Sequence, residues 1–316
     1  MAMSSKVETF TSTGGKLIHN PQWLREVIEN GRILPLSIEC APESRCNLMC
    51  NYCSNKDRKT DESLSADVLL PVLESMRGLG TKTIQWTGGG EFLMHPQANL
   101  LIKECHRMGY QQGLITNGTM FHALGKEALE KLTWVRVSLN IEVLDRIIVP
   151  EIPETTTLGF SCVVTEDMDE AWIKEIRNFV SAHNPEYVRV VTNCLVDNET
   201  QIANNDKLGK MVAEWGSPFF YQRKDFRKPA KCWWFWAKPF VHHDTYIYRC
   251  SSIVLNQDSE NRFHEKYRVC KLDELPDQYK KKAFPVIPTS CESCVFAGQN
   301  DLIDSLLNKN GMESFV

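Results

Sequence analysis

The stretch TIQWTGGGEFLMHPQANLLIKECHRMGYQQGLIT, residues 83–116, decides the fold. Thr83–Thr87 reads as a strand, Gln97–Met108 places apolar residues at helical spacing, and Gly113–Thr116 reads as a second strand. Strand, crossover helix and strand make one βαβ unit, and such a unit requires parallel pairing. The rhythm continues on both sides. Leu34–Glu39 is a strand run upstream, and Val135–Asn140, Leu158–Thr165 and Tyr187–Thr192 are strand runs downstream. Helical patterns at Ser65–Arg77, Leu124–Lys131 and Glu170–His183 lie between them. The fold class is therefore α/β, and six such strands are enough for a partial (β/α)6 barrel. The fourth crossover is short, because only Ile141–Val149 can be helical before Pro150 and Pro153 stop it. A helix near Lys207–Trp215 closes the barrel region.

The flanks read differently. Residues 1–19 are polar and read as loose. Asn20-Pro21 then supplies an N-cap and a first-turn proline, and Trp23, Leu24, Val27 and Ile28 keep helical spacing up to Asn30-Gly31. From Ser217 prolines, aromatics and five cysteines replace the helix–strand alternation. The chain thus divides into an N-terminal extension (1–33), a barrel (34–216) and a small C-terminal domain (217–316) built from a β-hairpin, loops and a helix.

Composition narrows the function. The 316 residues are 42% hydrophobic and 24% charged, which excludes disorder, collagen and coiled coil as the main character. A net charge of −4 argues against wholesale nucleic-acid binding. No apolar run approaches the roughly 18 residues of a membrane span, and the first residues hold no secretory h-region. A cytoplasmic chain with no membrane association is expected. In that compartment twelve cysteines read as metal ligands rather than disulfides.

Cys46-Asn-Leu-Met-Cys50-Asn-Tyr-Cys53 follows the first strand. Thiolates are the ligands of iron–sulfur clusters, and four are usual for a cubane. Three close cysteines hold three irons and leave the fourth for a non-protein ligand. The C-terminal end of a barrel strand is also where βα loops build active sites. Three thiols in so short a polar loop do not read as core packing. Cys40 does not complete a zinc set, because its strand points it into the sheet.

At these residues the chain resembles the radical S-adenosylmethionine (SAM) superfamily, from about Leu34 to Asn193. Cys46, Cys50 and Cys53 match that family's signature. Thr87-Gly88-Gly89-Gly90-Glu91 matches its GGE motif, which holds the methionine amino group, with Phe92 where proline is usual. Ile115-Thr116-Asn117-Gly118 and Val137-Ser138-Leu139-Asn140 resemble the strand ends that contact the SAM ribose and carboxylate, with Asn140 where aspartate is common. The resemblance implies reductive cleavage of SAM to methionine and a 5′-deoxyadenosyl radical, which takes hydrogen from an unactivated C–H bond. It also implies a flavodoxin- or ferredoxin-type electron donor.

Past Ser217, Cys232 and Cys250 flank a hairpin with its turn near His243–Thr245, and Cys291-Glu-Ser-Cys294 is a CxxC. The hairpin returns its ends together, which brings Cys232 and Cys250 within reach of one ion or cluster. This pattern resembles the auxiliary-cluster "twitch" domain of the 2-deoxy-scyllo-inosamine dehydrogenase type and implies a second 4Fe-4S cluster on Cys232, Cys250, Cys291 and Cys294. A closed all-thiolate zinc site is the structural alternative. Cys270 reads as packing, as do Cys105 in a helix and Cys162 in a strand. Cys194 follows the sixth strand at the substrate end, where a thiol could return a hydrogen atom to a substrate radical. The basic run from Arg223 to Lys238 carries Trp233-Trp234-Phe235-Trp236, which reads either as an aromatic core beside the second cluster or as a stacking platform for a nucleotide.

The leading reading is a radical SAM oxidoreductase acting on a small polar substrate, with the second cluster as electron acceptor. A redox-neutral isomerase or epimerase, on a modified nucleotide or a base in nucleic acid, is the runner-up. A peptide maturase ranks third, because about 33 residues ahead of the first strand leave no room for a peptide-recognition domain. A zinc-stabilised, non-catalytic binding protein is the contrasting class.

Overall fold

The computed structural model describes residues 3–165, 168–228, 231–252, 265–281, 291, 293–308 and 311. Ten strands form one sheet: β1 (Ser37–Ala41), β2 (Thr83–Trp86), β3 (Gln111–Thr116), β4 (Trp134–Leu139), β5 (Thr157–Val164), β6 (Tyr187–Thr192), β7 (Phe219–Tyr221), β8 (Phe240–His242), β9 (Tyr246–Tyr248) and β10 (Arg268–Lys271). Their order is β10-β9-β8-β1-β2-β3-β4-β5-β6-β7. The pairs from β1 to β7 are parallel, as is β1 with β8, and the last two pairs are antiparallel. The sheet curls without closing, so the partial barrel expected from the sequence is present.

Helices Ala66–Gly78, Ala98–Arg107, Glu170–His183 and Asn198–Trp215 make crossovers. Between β4 and β5 there is a 3₁₀ segment, Ile141–Arg146, which agrees with the prolines that follow. Alternation along each strand divides two faces. On β4, Val135, Val137 and Leu139 are buried in the core, while Trp134 and Arg136 line a central cavity of about 1190 Å³. Two glycines make room inside it. A Cβ on Gly113 would lie 2.0 Å from the Trp134 ring, and one on Gly159 would lie 2.1 Å from Cζ of Tyr187. The indole and the phenol occupy space that neighbouring strands leave empty.

Three sequence expectations need correction. Residues 3–19 are not loose, because Met3–Phe10 and Gly15–Ile18 are helices. Phe10 stacks on Tyr187 with centroids 4.1 Å apart, and Lys6 donates to the Glu186 carbonyl and to Ser217, both at 3.3 Å. One aromatic and one lysine dock a segment too polar to announce itself. The alternation also does not stop at Ser217. Phe219–Tyr221 adds a seventh parallel strand, too short for periodicity to show. Finally, the segment after 217 extends the barrel's own sheet, since β8 pairs with β1 through Glu39↔Phe240 and Cys40↔Val241.

The expected hairpin is β8–β9, with Phe240 opposite Tyr248 and a left-handed residue, Thr245 (φ 67), in its turn. The tryptophan run is buried. Trp233, Trp234, Phe235 and Trp236 are each at most 7% exposed. Trp234 stacks on Phe296 and Trp236 meets Tyr279 edge-on. These rings are core, which is the first of the two readings of this run. Among the described residues no helix is long and apolar enough to cross a membrane.

Candidate active site

The loop after β1 carries Cys46, Cys50 and Cys53, all partly exposed and free of disulfides. It is held by its neighbours rather than by secondary structure. Glu43, whose side chain is fully buried, pairs with Arg45 at 2.7 Å, and Arg58 donates to the Ser44 carbonyl at 2.6 Å. Cys40, by contrast, is buried under the sheet as expected.

The glycine-rich loop after β2 lies directly on this cysteine loop. The Gly90 N–H donates to the Glu43 carbonyl and the Glu91 N–H to the Arg45 carbonyl, each at 2.7 Å. A Cβ on Gly90 would sit 2.0 Å from the Arg45 carbonyl oxygen, so the backbone contact admits only glycine. Burial pushes the Glu91 carboxyl up, and hydrogen bonds from Asn117, Thr116 and Leu93 act the other way. Oε1 accepts from the Thr116 hydroxyl at 2.7 Å and from the Leu93 N–H at 3.1 Å. Oε2 accepts from the Asn117 N–H at 2.7 Å. The residue that the resemblance assigns to the methionine ammonium thus also ties the end of β2 to the end of β3.

Two asparagines reach from strand ends to the thiols. Asn117 Nδ2 lies 3.8 Å from Cys46 Sγ and donates to Asn47 Oδ1 at 2.9 Å. Asn140 Nδ2 lies 3.4 Å from Cys50 Sγ, while its Oδ1 caps the 3₁₀ segment through the Glu142 N–H. Ser138 lies on β4, two residues before Asn140, and is half-buried. Burial pushes the Cys46 and Cys50 thiols up; the Leu48 N–H and the Asn140 amide respectively oppose it. N–H···S contacts of this kind stabilise a thiolate and tune the potential of a cluster it holds.

The second set of thiols comes from three places in the chain. Burial pushes Cys250 well up, and the charges of Cys232, Cys294 and Cys291 add to this. Cys232 is pushed up to about 12 by burial, opposed by a bond from the Phe235 N–H and by the nearby Arg249 charge. Asn300 orders this corner: its Oδ1 accepts from the Trp233 and Trp234 N–H groups at 2.7 and 2.8 Å, and its Nδ2 lies 3.7 Å from Cys294 Sγ. Among the described residues, no three His, Cys, Asp or Glu side chains are grouped to hold a single metal ion. Cys270 stands apart on β10, and Cys105 and Cys162 are core.

Cys194 follows β6 and lines the barrel cavity. Burial pushes its thiol up, offset by Lys224, and the Cys53 and Ser54 side chains are close. Lys224, noted only within the basic run, lines the same cavity, as do Arg136 and Arg189, which the sequence reading missed. Their signal was an arginine set among valines in Trp-Val-Arg136-Val and Tyr-Val-Arg189-Val. It also missed His243, whose Nδ1 is 2.9 Å from Glu62 and whose ring would meet any Cβ on Gly89.

Comparison with known proteins agrees with this geometry. Residues 42–196 match the model of the Radical SAM superfamily. A tungsten-containing aldehyde ferredoxin oxidoreductase cofactor-modifying protein of Pyrococcus furiosus is 30% identical over 145 residues, 45% of this chain and 39% of that protein. The PqqA peptide cyclase of Gluconobacter oxydans is 30% identical over 111 residues, 34% of this chain and 30% of that one. The matched regions therefore span two fifths or less of these curated relatives. Streptococcus suis SuiB bound to its precursor peptide SuiA superposes with a TM-score of 0.58 at 13% identity, covering 95% of this chain and 79% of SuiB. The anSMEcpe structure with AdoMet and a peptide gives 0.52 at 13% identity, covering 88% and 84%. These solved structures share the fold. Residues 42–196, just under half of the chain, thus carry a radical SAM superfamily domain.

Proposed function

We propose that this chain is a radical SAM enzyme that oxidises a small polar substrate inside the barrel cavity. The supporting observation is the contact of two loops: the Gly88–Glu91 turn packs backbone to backbone on the loop of Cys46, Cys50 and Cys53. That cradle, with amide groups directed at two of its three thiols, fits a cluster that keeps one iron open for SAM. Glu91, Thr116, Asn117, Ser138 and Asn140, together with Gly88, Gly89 and Gly90, are the residues assigned to SAM in this reading. When bound, SAM, its cluster and one external electron supply a 5′-deoxyadenosyl radical that takes a hydrogen atom from the substrate. The polypeptide's own work is to position the reactants and exclude water.

The partly buried thiols Cys232, Cys250, Cys291 and Cys294 support a second 4Fe-4S cluster, in an auxiliary region of twitch type that follows β7 and joins the sheet through β8. Four thiolates leave no iron open, which suits electron transfer rather than substrate coordination. Anaerobic reconstitution tests the pair: about eight irons are expected at four per cluster. Zinc in place of the second set would remove the electron acceptor. Substrate oxidation predicts a product two mass units lighter, formed with 5′-deoxyadenosine.

A redox-neutral second reading is favoured by one observation, the presence of Cys194 in the cavity wall. Its thiol could return a hydrogen atom to the substrate radical. Solvent deuterium in a product of unchanged mass, lost in Cys194→Ala, would select that reading.

A further inference from the structure

The barrel cavity holds three cations that, among the described residues, have no salt-bridge partner; Glu39, which acts on Arg189, is itself paired with Lys238. Arg136 on β4 is 7% exposed, and its Nε has no hydrogen-bond partner. Arg189 on β6 also has an unpartnered Nε, while its Nη1 donates to Gln222 at 3.1 Å. Lys224 follows β7 and borders the same cavity. Among the described residues none of the three makes a salt bridge, although the neighbouring cations do. Lys238 is 2.9 Å from Glu39, Arg223 is 2.7 Å from Asp206 and Arg227 is 2.9 Å from Asp301.

This arrangement opposes itself. Burial, and then the charge of Arg136, lowers Arg189 to about 9. Burial, and then the charges of Arg189 and Arg136, lowers Lys224 as well, with Cys194 acting the other way. Like charges held buried or half-buried with no salt-bridge partner destabilise the empty protein and become favourable when an anion enters. Guanidinium groups with free N–H edges present the planar fork that carboxylates and phosphates accept.

We propose that the cavity binds its substrate through an anionic group, a carboxylate or a phosphate, held between Arg136, Arg189 and Lys224. This rests on the reading above only in taking the cavity as the substrate chamber.

Thermal unfolding and calorimetry of the full chain, with inorganic phosphate and succinate as probes and potassium chloride at matched ionic strength as control, test the proposal. At least one probe should raise the melting temperature of the wild type beyond the salt control, and the stronger of the two identifies the group. Arg136→Met and Arg189→Met should melt higher than wild type when ligand-free and should bind that probe at least tenfold more weakly. Lys224→Met serves as a third variant if either arginine change fails to fold. SAM affinity, measured separately on reconstituted protein, should stay within twofold of wild type. Loss of SAM binding in parallel would assign the cations to the SAM carboxylate and overturn the proposal. So would wild type indifferent to both probes, or variants that melt lower and still bind. Anion binding needs no cluster, so failed reconstitution would count against the radical reading alone.

Discussion

The two sets of thiols are built in opposite ways. Cys46, Cys50 and Cys53 sit within eight consecutive residues of one loop and remain partly exposed. Cys232, Cys250, Cys291 and Cys294 come from a turn before a one-turn helix, the end of a hairpin and a CxxC beside the last helix. The first set is local in sequence, whereas the proposed second set needs the tertiary fold to bring its members together. A local set can lose its cluster with little effect on the fold, while a gathered set contributes folding free energy when it binds.

The largest effect expected from this contrast is catalytic. Replacing Cys46, Cys50 and Cys53 together by alanine should reduce iron from about eight to about four per chain. No 5′-deoxyadenosine should form, and the melting temperature should move by only a few degrees. A collapse of the fold would show that the two sets are not independent.

Cys291→Ala should give the converse result. The melting temperature should fall by several degrees more than in the triple variant, as lost cluster binding becomes lost stability. SAM cleavage without substrate should persist, measured as uncoupled 5′-deoxyadenosine. Equal melting temperatures in both variants would erase the contrast.

Glu91→Gln should weaken SAM binding by about 1.5–3 kcal/mol, roughly ten- to a hundredfold in dissociation constant. The amide places a donor where Oε1 or Oε2 now accepts. Equilibrium binding to reconstituted protein checks it, and unchanged affinity would confine Glu91 to tying the ends of β2 and β3.

Asn140→Ala should act on the first cluster alone. Loss of one N–H···S contact worth about 1 kcal/mol corresponds to about 40 mV, shifted toward more negative potential. Electrochemical titration should show one cluster moving and the other fixed.

The smallest effect concerns the joint between the two regions. His243, in the β8–β9 turn, rests on Gly89 and donates from Nδ1 to Glu62 while its ring stays neutral. Burial, and then the charge of His242, lowers its folded pKa to about 3. A depressed histidine stabilises above its unfolded pKa, near 6.5, and that contribution is lost as pH falls. The melting temperature should therefore drop between pH 7 and pH 5, and less so in His243→Phe. Equal slopes would remove the joint from the account.

What the sequence revealed follows the same division. The six strand runs and the first thiol loop were legible because their signals are local: period-two apolar alternation and short cysteine spacing. The helix Met3–Phe10 was not, since its anchor is a single stack of Phe10 on Tyr187. The strand Phe219–Tyr221 was too short for any pattern. The spacing of Cys232 and Cys250 suggested proximity, but only the pairing of β8 with β1 explains why that corner lies against the barrel. The arginines at 136 and 189 were visible as charges inside valine-rich strands, and recognising them required knowing which face of each strand turns inward.

The exchange of volume between Gly113 and Trp134 carries a practical meaning for redesign. Where a glycine on one strand hosts the ring of the next, the depth of the chamber depends on a single bulky side chain. Trimming Trp134 would enlarge it without disturbing the Val135, Val137 and Leu139 side of the same strand. One substitution at Trp134 therefore alters the volume of the cavity.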